Sequence, residues 1–372
     1  MALGTSMERH IASHPEAKTM GQKRKTSWHG VSQRWISSVF HMVNHARAVL
    51  FHEIGGPDVL KIEEVRLDAP GPGEVRVRID AIGLNRAEAL FRAGTYYYQP
   101  TLPGSRLGFE AAGTVEDVGP EVSGFAPGDA VCIASDQEMS RHGIYADRVN
   151  IPVQYLLPRP ASVDAIIGAA LWTTYLTAYG ALVEVGRTNP GDDVIITAAS
   201  SGVGLAAIQI ANHLGATPIA VTRTAAKATR LLQAGAAHVV AADEGDLVSR
   251  VHAVTGGKGA RTVFDAVGGP GLGELAQTVA TDGLLIVYGW LDPRPAPLPM
   301  NWPITVHGFN VDLITTDPVR MGRARAFIEA GLRTGTLNPP IDRTFDLADI
   351  VQAHRHLESN THIGKIVVTV QH

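Results

Sequence analysis

The stretch Asp193-Val-Ile-Ile-Thr-Ala-Ala-Ser-Ser-Gly-Val-Gly204 decides the fold. Asp193–Ala199 reads as a continuous apolar strand, and a helix is expected over Gly202–Leu214. A strand apolar on both faces belongs to a parallel sheet covered by helices on either side. The turn Thr197–Gly204 is made of small residues and opens a helix, where free N–H groups and the helix dipole favour an anion such as a pyrophosphate. Ser200, Ser201, Gly202, Val203 and Gly204 are its candidate ligand-holding residues. Ala199 and Ser201 stand where a Gly-x-Gly-x-x-Gly fingerprint has glycine, so the strand–turn–helix context carries the reading more than the motif does.

Downstream, strand and helix alternate. Strands are expected at Pro218–Thr222, His238–Ala241, Thr262–Ala266 and Gly283–Tyr288, with helices at Ala225–Ala234, Leu247–Val254 and Leu272–Thr281. Counting Asp193–Ala199, that is a five-stranded doubly wound parallel sheet of the α/β class. Its ligands bind at carboxyl strand ends, which singles out Gly268, Tyr288 and Gly289 beside the phosphate turn. The strand ending at Thr222 carries no Asp or Glu to accept from a ribose 2′-hydroxyl. Arg223 and Lys227 follow instead, a pairing that suits a 2′-phosphate and favours NADPH over NADH.

Upstream, short strands are separated by turn signals: Ala46–Phe51, Val59–Val65, Glu74–Ile82, Ala112–Val118, Asp129–Ile133 and Ile144–Ile151. This pattern points to a small β-barrel. After the parallel sheet come expected helices at Arg320–Gly331 and Leu347–Leu357, a loop at Pro339-Pro340, and a strand Lys365–Val370 that can return to the barrel. Ala165–Val183 and Val194–Thr222 lack Asp, Glu, Lys and Arg; with several Thr, Ser, Gln and Asn between them they read as buried α/β core and not as membrane spans. Residues 1–44 differ from the rest: Arg9, Lys18, Lys23, Arg24, Lys25 and Arg34 outnumber Glu8 and Glu16. A disordered tail is expected there, and Met42 is a natural start.

Composition excludes several classes. Cys132 is the one cysteine, so the chain has no intrachain disulfide and no zinc site of four cysteines or of two cysteines and two histidines. A formal net charge of −4 argues against nucleic acid as a partner. His354-Arg355-His356 lies on an expected helix, where residues two apart diverge and cannot share an ion.

Seven segments in order carry a resemblance: Gly-Leu-Asn-Arg at 83–86, Gly-Thr-Tyr at 94–96, Leu-Gly-Phe-Glu-Ala-Ala-Gly at 107–113, Pro-Gly-Asp at 127–129, Thr-Ala-Tyr at 177–179, the Ala198–Gly204 turn, and Gly-Lys-Ile-Val at 364–367. Over residues 45–371 the chain resembles the medium-chain dehydrogenase/reductase superfamily, in its zinc-free quinone oxidoreductase (ζ-crystallin-like) branch. The resemblance implies a GroES-like β-barrel catalytic domain (45–168 and 313–372) and an inserted Rossmann domain (169–312). The zinc alcohol dehydrogenases of that superfamily place their catalytic ligands where this chain has Asn85, Phe109 and about Thr173, so no metal is expected.

The resemblance also implies roles. Asn85 stands near nicotinamide and substrate, Tyr96 can donate a proton, and Thr177 contacts the nicotinamide. Lys365 matches a basic residue near the cofactor phosphates, and Glu110 a glutamate with a structural or catalytic part. Trp172, Trp290 and Trp302 are candidate pocket walls, and the proline-rich loop Asp292–Trp302 is expected to shape the substrate site. Without a Lewis acid, a conjugated acceptor is easier to reduce than an alcohol is to oxidise, because charge spreads over the acceptor. The expected activity is metal-free, NADPH-dependent hydride transfer to a quinone or other conjugated carbonyl of a small-molecule substrate. An enoyl or 2-alkenal reductase and a non-catalytic NADPH-binding protein remain open alternatives. A cytoplasmic homodimer, with no nucleic-acid or membrane partner, completes the expectation.

Overall fold

The computed structural model describes residues 45–134, 138–300 and 303–372. The tail expected over 1–44 and Trp302 lie outside the described residues. Seven strands precede the parallel sheet: β1 (His45–Leu50), β2 (Lys61–Arg66), β3 (Glu74–Gly83), β4 (Glu110–Val118), β5 (Ala130–Ala134), β6 (Arg148–Pro152) and β7 (Leu156–Pro158). The alternation in β3 is the organising feature. Val75, Val77 and Ile79 are fully buried, and the strand pairs antiparallel with β4, β6 and the returning C-terminal strand β15 (Lys365–Thr369).

The barrel sheet runs β14-β15-β3-β4-β5-β7, where β14 is Ile341–Asp346 and β6 adds to β3; β1 and β2 form a separate antiparallel pair. Directly after the loop expected at Pro339-Pro340 comes a strand that the sequence reading did not include, β14, parallel to β15. Ile144–Ala146, expected as strand, makes only the single bridge Ala48–Ala146.

The parallel sheet comprises β8 (Asp193–Ile196), β9 (Thr217–Thr222), β10 (His238–Ala241), β11 (Ala260–Asp265), β12 (Val279–Val287) and β13 (Ile304–Gly308). Its order is β10-β9-β8-β11-β12-β13, every pair parallel. The strand order reverses between β8 and β11, the switch point where such sheets take ligands. The double burial of β8 explains its unbroken apolar run. Val194 and Ile196 pack with the helices Ala165–Tyr179 and Gly202–His213, while Ile195 packs in a second cluster with Val263, Val240 and Leu285.

The sheet has six strands, one more than the sequence pattern suggested. β13 is an edge strand with Thr305 and Val306 exposed, so it lacks the apolar run that betrays a central strand. The helix expected over Leu272–Thr281 stops at Ala276, because Val279 already pairs with Ala260 in the sheet. The apolar stretch Ala165–Val183 is a core helix, Ala165–Tyr179, continued by a wider turn over Gly180–Val185. The Asp164 side chain caps it by accepting from Ile167 N–H at 2.8 Å. This helix runs through the expected 168/169 boundary. Ala324 and Ile328 of the helix Pro318–Thr334 share a core cluster with Leu205 and Ile208.

Candidate active-site cleft

A cleft of about 880 Å³ opens at the carboxyl ends of the parallel strands and is closed on its other side by barrel residues. Asn85, Tyr96, Thr177, Ser200, Ser201, Gly202, Val203, Thr222, Arg223, Lys227, Gly268, Tyr288, Gly289 and Lys365 all line it. The phosphate turn and the returning barrel segment are stitched together: Gly364 N–H donates to Ser200 O at 2.9 Å.

On the parallel-sheet side, Ser201 caps the helix Gly202–His213 by accepting from Gly204 N–H at 3.0 Å. Gly204 does not line the cleft. Its part is packing: a Cβ there would lie 2.7 Å from Ala198 O and from Ala199 Cα, so only glycine lets the helix start against the strand end. Ala198 takes a left-handed φ of 45° to make the turn. The sequence reading missed Asp265, at the end of β11. Its buried carboxylate accepts from Thr197 Oγ1 (2.6 Å), Gly268 N–H (2.7 Å) and Val267 N–H (3.2 Å). It thereby joins the ends of β8 and β11 and shapes the loop carrying Gly268. An acid closing an otherwise apolar strand was the available signal. Tyr288 stacks on Phe264 at 4.1 Å; burial, then the Asp265 charge, pushes its hydroxyl above the usual tyrosine range, with Ser201 opposing.

At one end of the cleft, cations gather. Arg223 is exposed after β9, with no side-chain partner among the described residues. Lys227 is tied down, its Nζ donating to Ser200 Oγ (3.0 Å), Asn360 O (2.9 Å) and His362 O (2.9 Å). Arg86 donates to Leu357 O and Asn360 Oδ1. His362 Nδ1 is buried without a hydrogen-bond partner among the described residues. Burial, then Arg86 and Lys227, holds this imidazole's pKa down at about 4. An orphaned ring nitrogen among three cations fits an anionic group of a dinucleotide.

The barrel side is built of buried charge. Lys365 Nζ donates to Asn85 Oδ1 (2.6 Å) and to Glu110 Oε2 (2.7 Å). Glu110, fully buried, also takes Thr173 N–H at 2.9 Å. The stem of Lys365 runs beside Gly202 of the phosphate turn, and its ammonium turns to Asn85 and Glu110. Asn85 begins the helix Arg86–Arg92 and donates through Nδ2 to Gly83 O (3.1 Å) and Glu88 Oε1 (3.3 Å). Glu88 accepts further from Asn85 N–H (2.7 Å), Phe109 N–H (3.1 Å) and the Tyr145 hydroxyl (2.6 Å). Burial raises its pKa, opposed first by the Tyr145 bond. The chain of contacts continues from Tyr145 to His354 (3.3 Å), Arg92 (2.7 Å) and Glu358 (2.6 Å). Burial, reinforced by Arg92, holds the His354 pKa down at about 3. His356, two residues on, pairs instead with Asp342 at 2.8 Å.

Thr177 also faces the cleft, its hydroxyl donating back to Thr173 O at 2.6 Å. Tyr96 stacks on Trp290 at 5.8 Å and 27° and contacts the Phe109 ring at 6.4 Å. Trp290, Asp292 and Pro293 line the cleft, which brings the start of the proline-rich loop to the site. Trp172 does not: it is fully buried in the core because the helix Ala165–Tyr179 turns it inward toward Cys132. Burial pushes the Cys132 thiol up to about 12. Asn85, Phe109 and Thr173 converge on the cleft wall, offering an amide, a phenyl ring and a hydroxyl.

Comparison with known proteins agrees with this architecture. Residues 71–161 match the alcohol dehydrogenase GroES-like domain, and residues 202–316 match the family described as zinc-binding dehydrogenase. A 2-haloacrylate reductase of Burkholderia sp. is 32% identical over 338 residues, covering 87% of this chain and 99% of the relative. The rat quinone oxidoreductase is 30% identical, covering 87% and 97%. Among solved structures, the Escherichia coli quinone oxidoreductase complexed with NADPH superposes with a TM-score of 0.79 at 29% identity, covering 87% of this chain and 99% of that one.

Proposed function

The chain belongs to the medium-chain dehydrogenase/reductase superfamily, in its quinone oxidoreductase branch, and from that premise we propose an NADPH-dependent, metal-free reductase of quinones or other conjugated carbonyls. The coarser class, an NAD(P)H-dependent oxidoreductase, is common ground with its relatives. The observation that carries the finer reading is the wall formed by Asn85, Phe109 and Thr173, which offers a metal no thiolate or imidazole, beside the Lys365–Asn85–Glu110 cluster.

The residues present fit the cofactor. The turn Ser200–Gly204 offers helix N-terminal N–H groups to the phosphates. Exposed Arg223, beside Lys227 and the orphaned His362 nitrogen, supports a 2′-phosphate at that end. Bound there, NADPH supplies the hydride. Thr177, its proton committed to Thr173 O, keeps an acceptor oxygen for an amide N–H. Two of the three Lys365 ammonium protons are engaged, and the third is available to a carbonyl oxygen as it gains charge. Tyr96 and Trp290 supply a flat aromatic wall that suits a planar acceptor and excludes water. A proton reaches the reduced acceptor from Tyr96 or solvent.

The likeness to a 2-haloacrylate reductase favours a second reading, reduction of an activated C=C. The test is NADPH oxidation with 9,10-phenanthrenequinone, a 2-alkenal and 2-chloroacrylate, each against a blank without acceptor. Quinone turnover supports the first reading, turnover of the other two alone supports the second, and binding without turnover leaves a non-catalytic NADPH protein. Arg223→Ala is expected to raise the KM for NADPH by about tenfold or more and to spare NADH, since a well-formed charge-assisted contact is worth about 1.5–3 kcal/mol. Equal effects on both cofactors would remove Arg223 from phosphate recognition. We propose a homodimer as well, supported by the open edge β13 with Val306 exposed on it; light scattering reads the mass directly.

A further inference from the structure

The barrel holds a second cavity, of about 350 Å³, that shares no lining residue with the cleft. It lies between the end of β2, the start of β3 and the short helix Met139–His142. Its charged lining residues are Arg66, Asp68, Glu74, Arg106, Arg141 and His142. We infer that this cavity is a binding site for a small dianion presenting phosphate or carboxylate groups, a site separate from the proposed reductase chemistry.

The inference comes from which charges are already answered. Asp68 accepts from Arg66 Nε at 2.6 Å, and Glu74 accepts from Gly71 N–H at 2.9 Å. Asp68 thus has a cationic partner, whereas Glu74 has a backbone N–H and keeps its charge; three guanidinium groups at the cavity face these two carboxylates. Neither the Arg106 nor the Arg141 guanidinium has a hydrogen-bond or ion-pair partner among the described residues. Arg141 is exposed and would sit free at no cost, but Arg106 is half-buried. Burial lowers its pKa from the ordinary arginine value, as partial removal from water does to a cation. His142 reports the same field. Burial first, then Arg141, and more weakly Arg106, push its pKa down, against the raising effects of Glu74 and Glu138.

A guanidinium is always charged and presents a planar fork of donors that matches phosphate or carboxylate oxygens in pairs. An anion seated against Arg106 with Arg141 at the mouth would satisfy the donors that the protein leaves open. The volume lies at the lower end of the range for small-molecule sites, which suits a phosphorylated or dicarboxylic compound of a few carbon atoms and not a nucleotide.

The test is calorimetric titration of the full chain with inorganic phosphate and, separately, with succinate, at ionic strength held constant with sodium chloride so that screening does not change. Each titration is run with and without saturating NADPH. The expected result is saturable binding of at least one of the two anions, one per chain, unaffected by NADPH. Arg106→Gln and Arg141→Gln are each expected to weaken it about tenfold or more, the loss of one charge-assisted contact. Both variants should retain wild-type kcat, because their residues lie outside the cleft. If Arg106→Gln does not fold, the exposed Arg141→Gln decides alone. Titrations indistinguishable from chloride for both anions, or binding that survives in every folded variant, would overturn the inference. So would binding abolished by NADPH, which would place the anion in the cleft. Failure of the reductase assay leaves these outcomes unaffected.

Discussion

On the parallel-sheet side of the cleft, a row of residues sits at or just after strand ends: Thr197 and Ser200–Ser201 after β8, Thr222 and Arg223 at β9, Asp265 and Gly268 at β11, Tyr288 and Gly289 at β12. On the barrel side, Asn85, Glu88, Glu110, Tyr145, His354 and Lys365 arrive from five separate stretches and meet in one buried network. The first wall works mainly through backbone N–H groups and hydroxyls, and its one buried acid, Asp265, is answered by N–H and O–H donors from residues near in the fold. The second holds charges away from water, where an unpaired one is expensive. Mutation and pH should therefore act on the barrel wall far more than on the phosphate turn.

The largest expected effect comes from splitting its central pair. Lys365 and Glu110 are 4% and 0% exposed at their side chains and 2.7 Å apart. Glu110→Ala leaves the ammonium buried and opens the Thr173 N–H as well. A loss of about 3–5 kcal/mol in unfolding free energy is expected, as for other broken buried pairs. Denaturant titration measures it, and the double variant Glu110→Gln, Lys365→Met should recover part of the loss. A change under 1 kcal/mol in Glu110→Ala would mean that the two walls do not differ in the way described.

The same contrast explains what the sequence discloses. The turn Thr197–Gly204, the missing ribose acid at Thr222 and the exposed Arg223 are local patterns, and each is found where its neighbours in the chain imply. The interior strands of both sheets were legible from their apolar runs. Edge strands β13 and β14 were not, because one exposed face dilutes the pattern. The barrel network left a single local trace, Asn85-Arg-Ala-Glu88, the spacing at which a helix-start residue and an acid three positions on bond reciprocally. Nothing local joins Glu88 to Tyr145 or Tyr145 to His354; those contacts span 57 and 209 residues respectively. Lys365 shows the same limit: its place in the chain was legible, whereas its partners Asn85 and Glu110, 280 and 255 residues away, are set by packing.

The network also predicts an acid limb. His354 has a folded pKa of about 3 against an unfolded value near 6.5. Its folded form binds fewer protons than the unfolded chain between those values. Stability is thus full above about pH 6.5 and falls as pH drops towards 3. At 1.36 kcal/mol per unit, the drop from pH 6.5 to pH 4 is about 3 kcal/mol from this residue. His354→Asn removes the titration, so the variant's stability should change less over that interval than the wild type's. Parallel slopes in the two proteins would show that His354 is not held neutral by the fold.

The smallest effect tests whether either wall takes part in the chemistry beyond holding its ligands. Asn85 Oδ1 orients the Lys365 ammonium. Asn85→Ala frees that ammonium to turn, and about a tenfold fall in kcat with phenanthrenequinone is expected, below the 10²–10³ seen when an oxyanion donor is removed from a more demanding reaction. Tyr96→Phe is milder by design. It keeps the ring stacked on Trp290 and removes only the hydroxyl, so a drop of a few-fold is expected if the phenol donates the proton and solvent replaces it poorly. In both variants the NADPH Kd should stay at the wild-type value, because the phosphate turn and Arg223 are untouched. A fall in kcat at constant Kd places these groups in the turnover step. Full kcat in both variants with quinone and alkenal would leave the barrel wall as scaffold, and rate acceleration would then come from holding cofactor and acceptor together in a dry cleft.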